Sequence, residues 1–419
     1  MALVCVASSS MPAAALQPLS QFLARAKKWN PTNRQVTSVR KQRQAEITAT
    51  RGRLLPSLTL EGVYTLNQFE AISEFPDGSG GVDRLTFVPR HQLDGYATLQ
   101  VPIIDLRGLQ NIETSRAHRA VAQESQAFTR LEVQRQVTRV YYELLGSEAL
   151  ERSAAENLKV AQDNAELVQK RMGQGEASNM DYQRALANVE SAKQTLEDGK
   201  LAVVLKRREL RNLSGLRPAP VADFPIDDLH PEKPLAHWQR VRPDELPESR
   251  VARAQAKVAT ETHKSAGLAW SPTLSATAQE RLTNATGFVG QSAVFTLMGV
   301  LSWRLDASLA ADAQAADAAA QALRAQADDA EIRARMAVYE AWNRVKTGIA
   351  KSRAARAQVE ATKRTRDLAT IRYENGVTTQ LDVVQAQRDA FDAVVARIRA
   401  DVDLLYARKL LRIATGQTL

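Results

Sequence analysis

R-M-G-Q-G-E-A-S-N-M-D, residues 171–181, and R-Y-E-N-G-V-T-T-Q-L-D, residues 372–382, decide how this chain folds. The second starts 201 positions after the first. At that single offset the sequence aligns with itself without a gap from Arg171/Arg372 to Gly215/Gly416. Identities fall at Gly175/Gly376, Asp181/Asp382, Ala185/Ala386, Ala192/Ala393, Arg207/Arg408, Leu210/Leu411 and Arg211/Arg412, with exchanges such as Met180/Leu381 between them. The chain is a tandem repeat. Each copy of the stretch has the chemistry of a helix-to-helix turn. A basic residue ends one helix, Gly175 or Gly376 supplies the backbone freedom for reversal, and Ser178 or Thr378 with Thr379 caps the next helix. The first turn of that helix carries Asp181 or Asp382.

Composition narrows the class. Aromatic residues make up only 5% of the 419, and Ala, Gln, Arg, Glu and Leu fill long stretches, which favours long packed helices over several compact cores. The formal charge of +9 comes from 56 basic and 47 acidic residues that are interleaved, as on solvated helix faces, with none of the basic blocks of a nucleic-acid arm. A single cysteine, Cys5, excludes an internal disulfide, and His91, His118, His230, His237 and His263 are scattered without metal-ligand spacing. No run of eighteen apolar residues marks a transmembrane helix. Residues 1–15, M-A-L-V-C-V-A-S-S-S-M-P-A-A-A, read as a signal-peptide remnant. The A-L-V-C context of Cys5 lacks the small residue that a lipidation site wants before the cysteine.

Outward from the two turns, the helical pattern is long. From Asp105 to about Met172 there is no proline, and Leu106, Leu109, Ile112, Val133, Val137, Val140 and Leu144 recur at threes and fours. A helix of about 65 residues is roughly 100 Å long. The returning helix, to Leu213, carries Val189, Leu196, Val203 and Leu210 at strict sevens, the spacing of coiled-coil packing. The second repeat matches, with an Ala-rich helix from Asp306 to about Tyr373 and a returning helix with Phe391, Ile398 and Leu405 at sevens. Before each long helix the period changes to two. Leu58, Leu60, Gly62, Tyr64 and Leu66 oppose Thr59, Glu61 and Thr65. Leu93, Gly95, Ala97, Leu99 and Val101 oppose Gln92, Asp94, Tyr96, Thr98 and Gln100. A Gly- and Pro-bearing loop, about 69–90, separates these strands. In the second repeat strands follow Pro272 and include Phe295, Leu297 and Leu301.

The domain reading is therefore a first repeat over 16–215, with a β-hairpin at about 57–104, a proline-rich linker over 216–243, and a second repeat over 244–416 with a hairpin at about 272–305. The short helices before each hairpin and after each turn add up to about the length of one long helix, so two short ones can run beside it. Four strands alone leave open edges, which cannot face lipid, and closure needs further copies of the chain. Alternation by itself fits either a sheet over a soluble core or a membrane barrel.

The two turn motifs, the L-L-P-S-L and W-S-P-T-L strand starts, the Q-V-P-I-I-D and S-W-R-L-D strand exits and the closing L-L-R-I-A-T-G, in this order, resemble the TolC family of outer membrane efflux proteins from Leu16 to Gly416. The resemblance implies an α+β membrane protein: a homotrimer whose 12-stranded β-barrel, four strands per chain, sits in outer membrane lipid and continues into an α-helical coiled-coil barrel across the periplasm. It also implies a periplasmic adaptor and an inner-membrane pump as partners, docking at tips that hold Arg171, Gly175, Arg372 and Gly376. The family's periplasmic aperture maps to Asp382 and Gln385. An acidic residue is usual at the second position, so Gln385 leaves the ring one acid weaker. Asp181 and Tyr373 stand where the family places closed-state polar links, whereas Met180 and Thr378 offer no ionic link. The competing reading of each acid is a plain helix cap, and the competing reading of the chain is a soluble periplasmic coiled-coil scaffold or adaptor. No catalytic motif, phosphate loop or cofactor fingerprint is present, since Gly78, Gly80 and Gly81 lie between strands and open no helix.

Overall fold

A computed structural model describes residues 16–76, 78, 81–221 and 224–417. The signal-like stretch 1–15, with Cys5, lies outside the described residues. In chain order the elements are α1 (Leu19–Trp29), α2 (Pro31–Gly52), β1 (Ser57–Leu66), β2 (Ala71–Pro76), β3 (Val82–Val88), β4 (His91–Ile104), α3 (Leu106–Gly173), α4 (Asn179–Ser214), α5 (Leu235–Trp238), α6 (Pro247–Gly267), β5 (Thr273–Thr283), β6 (Ala293–Ser302), α7 (Ser308–Glu374) and α8 (Gln380–Ala414). The long helices α3 and α7 run 68 and 67 residues, and α4 and α8 run 36 and 35.

One expectation changes. The stretch 69–90 is not an open loop: β2 and β3 pair as a separate two-stranded sheet inside it. Their alternation is short and is bounded by Pro76 and a glycine cluster, which masks it in the sequence. Pro31 begins α2, directly after the break at Asn30 that ends α1. Proline is tolerated at a first helical position because its missing N–H has no intrahelical partner there. Asn30 completes the junction, accepting from the Thr32 amide at 3.0 Å and donating to the Leu213 carbonyl at 3.2 Å.

The chain divides into two compact units. One comprises residues up to Ser38, Glu124–Val251 and residues from Asp328 onward. Its cores are apolar layers between helices. Phe22, Val137, Val140, Leu144 and Leu210 form one, and Trp238, Val338, Val345, Leu404 and Leu411 another. Val189, Val203, Leu210 and Ile398 are buried, as heptad packing requires. The linker 216–243 is bound to this unit by buried charge. Arg408 donates to both oxygens of Asp227 at 2.7 and 2.9 Å and to Glu232 at 2.8 Å. Its repeat counterpart Arg207 holds Glu148 at 2.9 Å, and Glu148 accepts the Val221 amide at 2.7 Å.

The other unit comprises Val39–Gln123 and Ala252–Ala327. Its four-stranded antiparallel sheet has the order β1-β4-β5-β6, so the two repeats join through β4 and β5, from Asp94↔Thr283 to Ile104↔Leu274. The registers align Leu58, Leu99, Ala278 and Leu297 in one row and Leu60, Ala97, Glu280 and Phe295 in the next. Those two rows are apolar except at Glu280. The opposite face carries polar pairs across β4 and β5: Arg281 pairs with Asp94 at 2.7 Å, and Gln279 donates to Thr98 at 3.1 Å. The edge strands β1 and β6 are unpaired on their outer sides, and every residue of β6 is exposed. Trp303, just past β6, donates its indole N–H to the Trp270 carbonyl at 3.0 Å.

Candidate functional site: the paired helix tips

Both turns close by the same backbone device. At the end of α3 the Glu176 amide returns to the Arg171 carbonyl at 2.9 Å and the Gly175 amide to that of Met172 at 3.0 Å. At the end of α7, Val377 returns to Arg372 at 2.8 Å and Gly376 to Tyr373 at 3.0 Å. This pairing is the Schellman motif, which requires a left-handed residue just past the helix, and Gly175 and Gly376 supply it with φ of +78° and +72°. The next helix then starts on a capping box. Ser178 accepts from the Asp181 amide and Asp181 from the Ser178 amide, while Thr379 and Asp382 do the same in the second repeat. Asp382 gains one bond more than Asp181, from the Thr378 hydroxyl at 2.7 Å. The Thr378 and Thr379 hydroxyls, with the Thr379 amide, hold its carboxyl down to about 2.

The structure separates two residues that the repeat makes equivalent. Arg171 folds inward, with its side chain only 14% exposed. It donates to the carbonyls of Tyr373 and, at 3.0 Å, Glu374, sits 4.9 Å over the Tyr373 ring, and lies 3.3 Å from Glu176. The Arg372 side chain is exposed and makes no hydrogen bond or ion pair among the described residues. Tyr373 is buried, and burial pushes its phenol up. Asp181 is near enough to be felt there, but its carboxylate is taken up by Ser178 and, at 3.8 Å, Arg184.

Asp382 and Gln385 are exposed on one side of α8, and Asp389 continues that side one turn on. Gln385 donates to Asp389 at 2.8 Å. The acid missing at 385 is thus present at 389, a residue that sequence reading passed over because it sits one turn beyond the motif. Among the described residues there is no cluster of metal-ligating side chains, and no helix is long and apolar enough to cross a membrane.

The family model described as outer membrane efflux protein matches residues 23–216 and 245–417, which takes in both repeats and both tips. The chain belongs to the outer membrane efflux protein family. Its place is accordingly the outer membrane, with its helices in the periplasm, and it is an efflux channel protein and not an enzyme. Solved structures with the same fold include the Campylobacter jejuni CmeC outer membrane channel, with TM-score 0.80 and 16% identity over 96% of this chain and 86% of that one. The outer-membrane channel OprN gives 0.76 and 18% over 96% and 90%. The open state of the Neisseria gonorrhoeae MtrE outer membrane channel gives 0.74 and 19% over 98% and 94%. No curated protein matches the chain by sequence. In this outer membrane efflux protein both repeats present the same turn, cap and acid at their tips.

Proposed function

We propose that the protein is the outer membrane duct of a tripartite export system, conducting substrate passively from a periplasmic adaptor and an inner-membrane pump to the exterior. The observation that carries this is the sheet: one face mostly apolar, the other crossed by a polar ladder between β4 and β5, and both edges open among the described residues. A sheet of this kind in lipid must close on itself, because unpaired backbone N–H and C=O groups there cost several kcal/mol each. Three chains supply twelve strands, enough for a barrel with a wet interior.

In this reading the paired tips are the periplasmic end. Arg171, Gly175, Arg372 and Gly376 shape the surface that meets the adaptor, and the exposed Arg372 is the free cation of the four. Asp382, Gln385 and Asp389 line the aperture, where three copies set a ring of negative charge that favours cations. Asp181 and Tyr373 belong to the closed packing, with Arg171 as the side chain that joins the two tips of one chain. Opening is a separation of these helix ends, driven by the energised partner.

The experiment is fractionation followed by electrophoresis without boiling. A channel of this kind is extracted by detergent and not by salt, runs as a heat-sensitive trimer, and conducts in planar bilayers. A chain recovered in the salt wash as a monomer would sink the proposal.

A further inference from the structure

The tip core differs from the rest of the helical packing. Its buried apolar members are Ala161, Ala165, Val168, Ala185, Val189, Ala192, Tyr373 and Val383, with no Leu, Ile or Phe among them. Four amide side chains are buried towards this end of the helices: Asn164 of α3 at 5% exposure, Asn188 of α4 at 8%, and Gln380 and Gln387 of α8 at 1% and 5%. Gln380 and Gln387 are two turns apart on one side of α8, flanking Val383, and Asn164 lies between Ala161 and Val168 on α3. One bond joins the set, from Asn188 Nδ2 to Gln387 Oε1 at 3.3 Å. Both polar atoms of Gln380 and both of Asn164 are shut off from solvent and have no hydrogen-bond partner among the described residues.

A buried amide without partners is destabilising relative to its hydrated state. The layers around Leu144 and Leu404 carry single orphaned atoms, such as Thr138 Oγ1 and Trp238 Nε1, but among the described residues a whole amide is left without partners only at Asn164 and Gln380. We propose that Asn164, Asn188, Gln380 and Gln387 form a buried amide seam that weakens the closed packing of the tip, so that parting the helix ends lets water restore hydrogen bonds the closed state withholds. The seam makes the tip the first part of the helical bundle to give way. This deepens the reading of the tips as the moving end and rests on it for its role in export, but the seam's effect on stability is measurable without that reading.

The test uses the full chain purified in detergent and amide hydrogen exchange. Gln380→Leu removes two unpartnered polar atoms at nearly constant volume, Asn164→Leu does the same on α3, and Asn188→Leu with Gln387→Leu removes the bonded pair together so that neither amide is orphaned. The expected result is exchange slowed by about tenfold or more in peptides from 160–192 and 373–392, with peptides from 133–148 and 334–349 unchanged. Unchanged or faster exchange at the tip in Gln380→Leu overturns the seam. Gln380→Met, which keeps the length of the side chain, guards against misfit of the branched one: slowed tip exchange in it supports the seam, and wild-type exchange counts against it. Conductance recorded on the same variants tests the other premise. Slowed exchange with undiminished opening leaves the seam standing and removes the tip from the opening step.

Discussion

Arg171, in the last turn of the first long helix, lies 4.9 Å over the ring of Tyr373 and donates to the carbonyls of Tyr373 and Glu374 at the end of the second. Those carbonyls belong to the final turn of α7, beyond its own i+4 amides, and that of Tyr373 also takes the Gly376 amide of the turn. A single guanidinium therefore caps one tip from the other. Its partner by repeat, Arg372, faces water instead. The two hairpins are equivalent in sequence and unequal in role.

Replacing Arg171 with Gln should loosen the closed tip. Charge-assisted bonds of this sort contribute about 1.5–3 kcal/mol when shielded, and the side chain here is largely shielded. Single-channel recordings should show resting conductance or opening frequency raised several-fold, whereas Arg372→Gln should leave both near wild type. Arg171→Lys should restore little, since an ammonium cannot reproduce the planar fork and its stacking on the ring. Equal effects at 171 and 372 would contradict the assignment.

The Asp382 carboxyl has a pH signature. It is held at about 2 in the folded tip, against about 3.9 for an ordinary aspartate. A depressed folded value means that the capping contribution is complete above about 4 and is lost as pH falls from there towards 2. The difference in helix-start protection between the wild type and Asp382→Asn should be clear near pH 5 and should close near pH 2. Asp382→Ala should also change cation preference or cation block in planar bilayers. Unaltered ion selectivity would remove Asp382 from the aperture and leave it a cap.

Gly376→Val places a β-branched residue at φ +72°. Only the tip of Arg171 comes near the added atom, at 3.9 Å, so the cost is conformational and not a clash. Left-handed backbone costs a residue with Cβ about 1–2 kcal/mol, and more when it is branched. Export should fall while the amount of trimer in the outer membrane stays close to wild type. Loss of the trimer itself would argue against a tip location for this turn.

Much of this was legible. Helix lengths follow from the absence of proline and the three-four spacing, and the sheet follows from strict alternation, because those patterns record which face is buried. The glycines and capping acids are readable for a similar reason: few residues satisfy a left-handed turn or an N-terminal amide. Three features escaped. The β2–β3 hairpin is too short to show a period. Arg171 and Arg372 are the same letter at the same place in the repeat, so only packing distinguishes them. Gln380 and Gln387 fall on the buried side of α8, yet their chemistry alone suggests an exposed one.

The linker over 216–243 illustrates the last kind of failure and provides a further prediction. Its composition suggests a loose crossing, but Asp227 and Glu232 reach a guanidinium buried in the helical unit. The side chains of Arg408, Asp227 and Glu232 are 8%, 6% and 8% exposed, and Arg356 binds the Asp227 carbonyl at 2.9 Å while also holding Asp401. Removing one member strands the others, which costs about 3–5 kcal/mol for a buried pair. Asp227→Ala should therefore lower the thermal midpoint and open the 216–243 segment to protease. Arg408→Met combined with Asp227→Leu and Glu232→Leu should recover part of the loss, because no charge is left unpaired. If Asp227→Ala leaves the segment as resistant as wild type, the linker is held by its apolar contacts, chiefly Trp238 and Val221, and the ion cluster is incidental to its attachment.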